Sequence, residues 1–200
     1  MSSRTATQAI KELLDGNKRF VAGESTFSVS MQIRREQVSG GQNPFAAIVA
    51  CSDSRVPPEL IFDQTLGNIF VVRTAGSAMD AMSFGSLEYA VGHLRVPLVL
   101  VLGHTKCGAL EAAARGDKAS GHLSHVMAAI APAVEKARAM QGDLVSNAVK
   151  VSTEMLVARI SSPKTPLGKL VREKGTRVAG AIYDLDTGLV KVLPTLKSGN

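Results

Sequence analysis

The chain has 200 residues, of which 45% are apolar, a formal net charge of +6 and two cysteines. That length suits one domain with a substantial core, and no run approaches the roughly 20 apolar residues that span a bilayer. The positive excess gathers late, at Lys164, Lys169, Arg172, Lys174 and Arg177, in a chain with no tryptophan and two tyrosines; it reads as a solvated basic face, not a nucleic-acid surface.

The amino terminus lacks a continuous apolar signal core, so the sequence reads as cytoplasmic, with no membrane partner. Residues 5–23 form a first helix, with Ile10, Leu13, Leu14 and Phe20 on one face and Gly23 at its end. Residues 28–41 form a second, stopped by the Gly40-Gly41 pair. Strands follow at 45–50, "FAAIVA", and 68–76, "NIFVVRTAG". A helix at 83–94 leads to a third strand, "VPLVLVLGH", at 96–104, and "TKCGALEAAARG" starts a helix near Cys107. Helical patterns at 122–140, 144–160 and 165–175 come next. The chain closes at 177–193 with a strand, a turn at Asp186-Thr187-Gly188 and a second strand.

Strands alternating with helices predict an α/β fold, a mainly parallel central β-sheet flanked by helices with amino-terminal helical arms. The whole chain reads as one domain, with 1–40 as a helical arm and 45–200 as the α/β core. In such sheets ligands gather at the carboxyl ends of strands. Cys51 ends the first strand, Arg73 closes the second and His104 ends the third. Cys107 follows His104 in a His-x-x-Cys turn, so two thiolates and an imidazole become available, a donor set that suits Zn²⁺. The residues alone leave two other readings open. Cys51 is a small apolar filler, or a cysteine nucleophile with a histidine base. Asp53 is near enough to act as a fourth ligand. Arg55 fits as the group that fixes Asp53 in a bidentate fork and keeps it ionised, or the two form an ordinary surface pair.

The motifs "CSDSRVPPELIFDQTLGNIFVVRTAGS", "GSLEYAV" and "VLGHTKCGAL" resemble those of the β-class carbonic anhydrases, and the resemblance extends from "LLDGNKRFVAG" to "GAIYDLDTGLVKVL". It implies reversible hydration of carbon dioxide to bicarbonate and a proton by zinc-bound hydroxide. It makes Cys51, His104 and Cys107 the zinc ligands and Asp53 and Arg55 a catalytic dyad, with Asp53 a fourth ligand in a closed state. It further implies that Gln42 helps bind substrate across a dimer interface, that Phe70 and Tyr89 belong to an apolar pocket beside the metal, and that the Gly108 N–H points toward substrate. A homodimer or tetramer follows, with residues 1–40 as its embracing arm. His93 matches a histidine of some plant relatives that relays protons; His122 and His125 offer no spacing argument. Arg73 and Tyr183 match two of three residues of a regulatory bicarbonate pocket whose tryptophan is Ile48 here, which argues against that pocket. Two alternatives share these motifs: a CS₂ or COS hydrolase on the same zinc site, and a non-catalytic zinc-structured or redox-sensing protein.

Overall fold

The computed structural model describes residues 4–26 and 31–194. Helix α1, Ala6–Ala22, begins in a reciprocal capping box between Thr5 and Gln8 and ends at Gly23, whose φ of 72° only glycine adopts freely. Helix α2, Met31–Val38, stops just before Gly40-Gly41 and buries none of its residues; residues 28–30 of the predicted helix lie outside the described residues. Strand β1, Ala46–Cys51, is buried along its whole length, as an unbroken apolar run covered on both faces requires. Helix α3, Pro58–Ile61, leads to strand β2, Ile69–Thr74, a 3₁₀ turn at Ala75–Ser77 and helix α4, Ala81–Gly92. Asp80 caps α4 by accepting from the Ser83 N–H, which starts it two residues before the predicted helix.

Strand β3, Leu98–His104, is followed by α5, Gly108–Arg115, α6, Leu123–Arg138, α7, Leu144–Ser161, and α8, Pro166–Lys174. Strands β4, Arg177–Tyr183, and β5, Val190–Val192, close the chain. The sheet order is β2-β1-β3-β4-β5, parallel except for the antiparallel β4–β5 pair. The chain leaves β1 toward β2 on one side and leaves β3 toward β4 on the other. Neighbouring strands whose connections diverge open a crevice at their carboxyl ends, and here those strands are β1 and β3.

Two apolar layers hold the sheet. On one face Leu13 of α1 and Ile61 and Phe62 at the end of α3 pack with Ile48, Leu98, Leu100 and Leu102. On the other, Leu87, Val91, Ile160 and Leu167 from α4, α7 and α8 pack with Val49, Val99 and Val101. Each such fully buried side chain contributes about 1.5–3 kcal/mol. Close approach decides two positions. A Cβ on Gly103 would sit 2.3 Å from Thr153 Oγ1 of α7, and one on Gly16 would sit 1.8 Å from the Phe62 carbonyl oxygen. Glycine at 16 therefore lets α1 lie directly against the end of α3.

Candidate metal centre

Parallel pairing of β1 with both β2 and β3 brings the strand ends together. Cys51 is the last residue of β1, His104 the last of β3, and Cys107 the residue that precedes α5. All three are buried, and one donor atom from each lies within 4.8 Å of the others. A third apolar cluster, including Leu110, Ile130, Val134 and Val149, packs around the two cysteines. A void of about 20 Å³ beside them, room for one water-sized molecule, is walled by Ser77, Val101 and Leu156 among others.

The imidazole is oriented by its own turn. His104 Nδ1 lies 2.9 Å from the Thr105 carbonyl oxygen. A carbonyl only accepts, so Nδ1 carries the hydrogen and Nε2 carries a lone pair. That Nε2 is buried and has no hydrogen-bond partner. An unsatisfied buried acceptor costs about 1–3 kcal/mol, and a cation between the three donors removes the deficit. The chemistry of the set fits zinc: two sulfurs, one neutral imidazole and a carbonyl behind the imidazole to fix its tautomer.

Both thiols are prepared for ligation by their surroundings. Cys51 Sγ accepts from the Asp53 and Gly76 N–H groups, at 3.4 and 3.3 Å. The hydrogen bond from Cys107 favours a thiolate at Cys51 and lowers its pKa, outweighing burial, which acts in the other direction. That same bond, followed by burial, pushes Cys107 up, while the amides of Ala109 and Leu110 at the start of α5 pull in the other direction. A metal ion that takes both sulfurs displaces the proton they share.

Asp53 and Arg55 stand beside the cluster as a pair. Arg55 donates from its backbone N–H and from Nε to Asp53 Oδ1, at 2.9 and 3.0 Å, and from Nη2 to Oδ2 at 2.7 Å. The guanidinium holds the carboxyl down at about 2. Arg55 Nη2 also donates to the Lys106 carbonyl oxygen at 3.1 Å, which links the dyad to the His-x-x-Cys turn. Asp53 therefore engages Arg55 and is not among the clustered donors. Gly108 opens α5 next to Cys107, and a Cβ there would meet no atom within 4 Å.

The structure does not bring every predicted residue to this place. Phe70 pairs with Ala47, whereas Cys51 pairs with Thr74; Phe70 thus lies four residues, about 13 Å, back along the strand. Tyr89 on α4 keeps it company, with ring centroids 6.2 Å apart, and His93 stacks on Tyr89 at 5.3 Å. Gln42 is exposed, three residues before Phe45, whose N–H donates to the Asn68 carbonyl at the same end of the sheet. His122 and His125 face each other at the start of α6, apart from the cluster.

Arg73 does something its sequence position only hinted at. Its Nε donates to the Cys51 carbonyl oxygen at 2.9 Å and its Nη2 to that of Asp53 at 2.6 Å. It pins the backbone on which a ligand and the dyad carboxylate stand. The hint was an arginine near the carboxyl end of a strand beside β1; which groups it reached depended on the β1–β2 register.

Comparison with known proteins points in one direction. The family model for carbonic anhydrase matches residues 46–190. Carbonic anhydrase 2 of Mycobacterium tuberculosis is 37% identical over 192 residues, covering 94% of this chain and 93% of that protein. The carbonic anhydrase of Mycolicibacterium smegmatis is 35% identical over 196 residues, covering 96% and 95%. Among solved structures, the β-carbonic anhydrase CafA of Aspergillus fumigatus superposes with a TM-score of 0.70 at 27% identity, over 94% of this chain and 92% of that one.

Proposed function

The chain belongs to the β-class carbonic anhydrases, lyases that hydrate carbon dioxide reversibly, and from that premise we propose that it works with a zinc ion held by Cys51, His104 and Cys107. The observation that carries the assignment is the convergence of those three donors around a buried His104 Nε2 with no other partner. When bound, zinc supplies a Lewis acid that lowers the pKa of a water toward neutrality, so that a strong nucleophile exists near pH 7.

The chain's own residues do the rest. Asp53, kept ionised by Arg55, only accepts hydrogen bonds; Oδ1 takes two from Arg55, whereas Oδ2 takes one and keeps a lone pair beyond it. It takes a hydrogen bond from the attacking water and aims that water's lone pair at the carbon of CO₂. The first N–H groups of a helix have no partners within it, so the Gly108 N–H is available to a substrate oxygen, with no side chain in the way. A purely structural metal site would have no use for the Asp53–Arg55 pair.

Gln42, Phe70 and Tyr89 enter from a second copy. They lie at the opposite end of the sheet from their own cluster, and α4 carries Met82 at 79% and Tyr89 at 46% exposure, a surface suited to another subunit. We therefore take the working enzyme to be at least a homodimer, with the amino-terminal helices as its arms; a fungal β-carbonic anhydrase of the same fold is tetrameric. Among the described residues no helix is long and apolar enough to cross a membrane. Two free thiols committed to a metal need a reducing compartment, in keeping with a cytoplasmic location.

Stopped-flow hydration of CO₂, combined with a zinc assay, tests the proposal. About one zinc per chain and rapid hydration between pH 7 and 9 are expected. A zinc-loaded protein that is inert over that range would overturn it.

A further inference from the structure

Asn17 is polar, sits in the middle of α1 and is only 2% exposed. A buried amide must be paired on both its donor and acceptor sides, and here the partners come from two distant segments. Its Nδ2 donates to the Ile61 carbonyl oxygen at 3.2 Å and to that of Gly188 at 2.8 Å, and its Oδ1 accepts the Val190 N–H at 2.8 Å. Ile61 ends α3, the helix directly after the Cys51–Arg55 segment. Gly188 lies in the β4–β5 connection and Val190 begins β5.

That connection carries the other half of the metal centre. The Thr105 N–H donates to the Tyr183 carbonyl oxygen at 2.9 Å, and the Leu185 N–H donates to Thr105 Oγ1 at 2.9 Å. Lys106 Nζ pairs with Asp186. Thr105 in turn supplies the carbonyl that orients His104, and Lys106 supplies the one that meets Arg55. The two halves of the centre, Cys51–Asp53–Arg55 and His104–Cys107, come from segments about 50 residues apart. Asn17 grips the support of each.

We infer that Asn17 is a positioning residue for the metal centre, setting the spacing between its two halves through Ile61 on one side and the β4–β5 connection on the other. Gly16 permits this, because only glycine lets α1 lie so close to the Phe62 carbonyl that the next side chain reaches Ile61. The inference rests on the metal reading of the cluster, and its test separates the two.

The test is zinc affinity, by chelator competition, together with the visible absorption of the cobalt(II)-substituted protein, which reports ligand geometry. Asn17→Ala is expected to weaken zinc about tenfold, the lower end of what loss of an outer-shell partner does, and to shift the cobalt bands. Asn17→Asp keeps the acceptor for Val190 but sets a buried carboxylate oxygen against the Ile61 and Gly188 carbonyl oxygens, and should weaken zinc at least as much as Asn17→Ala. Leu13→Ala, on the same helix and buried in the core, should lower stability while leaving affinity and spectrum as in the wild type. Thr105→Val, which cuts the support to His104 without touching α1, should reproduce the cobalt shift, and Thr105→Ser should restore it. Wild-type affinity and spectrum in folded Asn17→Ala, or the same changes in Leu13→Ala, would overturn the inference. A wild-type chain that fails to hold zinc would instead sink the metal reading.

Discussion

At the carboxyl end of the sheet, Cys51, His104, Cys107, Asp53 and Arg55 meet within one chain, the ligands buried and the dyad fixed by five donated bonds from Arg55 and Arg73 to Asp53 and Cys51. At the amino end, Gln42 and Tyr89 are exposed, Phe70 is half-buried, and none of them reaches that cluster. The contrast separates two jobs. Holding and charging a metal demands donors fixed to within fractions of an ångström by a rigid scaffold. Receiving a small apolar substrate demands only a wall, and a second copy can bring that wall.

The severest way to break this contrast is to remove a donor. His104→Ala or Cys107→Ser is expected to lose zinc and to bring hydration down to the uncatalysed rate, while thermal unfolding shows the apolar layers intact. Chelation of the wild-type protein should do the same and be reversed by added zinc. Next in size is the dyad. Asp53→Asn keeps the shape but replaces the paired acceptor oxygens with a neutral amide, and kcat/KM should fall about a hundredfold, the lower range for a positioned proton-handling group. Zinc content should stay at the wild-type level, which distinguishes a lost orienting group from a lost ligand.

Legibility in the sequence followed the same division. The four parallel strands could be read because apolar runs such as "FAAIVA" and "VPLVLVLGH" bury both faces, and the cluster because its residues end those runs. Helix α3 was not seen, as four residues that begin with the second of two prolines carry no period. The 3₁₀ turn at Ala75–Ser77, with Gly76 at a φ of 61°, read as the tail of a strand. Asn17 looked like one more polar residue on an amphipathic helix; its partners lie as far as 173 residues away, and no local pattern records them. Phe70 and Tyr89 could be matched to a motif, yet a motif does not say which copy of the chain a residue serves.

That question has a direct answer in mixed oligomers. Gln42→Ala alone should cost about five- to tenfold in kcat/KM, the size of one substrate hydrogen bond, and Cys51→Ala alone should be inactive. Suppose the two variants are combined by co-expression and the hybrid is purified. If Gln42 acts across the interface, one of the hybrid's two sites has an intact ligand set and an intact partner glutamine, and about half the wild-type activity returns. If it acts within its own chain, the one intact metal site still lacks its glutamine, and activity stays at about half that of the Gln42→Ala variant. Recovery that fails would remove the division between the two ends.

The smallest expected effect concerns how the amino-terminal arm is anchored. Asp63 accepts from Arg19 Nε at 2.6 Å, from Ser25 Oγ at 2.7 Å and from the Thr26 N–H and hydroxyl at 3.0 and 2.8 Å. Burial alone would raise its pKa, but these donors outweigh burial and hold it below the usual carboxylate value of 3.8. A carboxyl whose folded pKa is depressed stabilises the fold fully above its unfolded value, and that contribution drains away as pH falls through the folded value. Asp63→Asn should therefore melt a few degrees lower than the wild type at pH 5 to 7, and the gap should narrow as both are taken below pH 3.8. Asp53 and the other lowered carboxylates titrate alike in both proteins, so the difference between the two melting curves isolates Asp63. A gap that stays constant into acid would mean the arm is held by packing of Ala9 and Leu13 alone. A gap that closes would mean that the arm, unlike the metal centre it helps to frame, is anchored by a charge that acid can release.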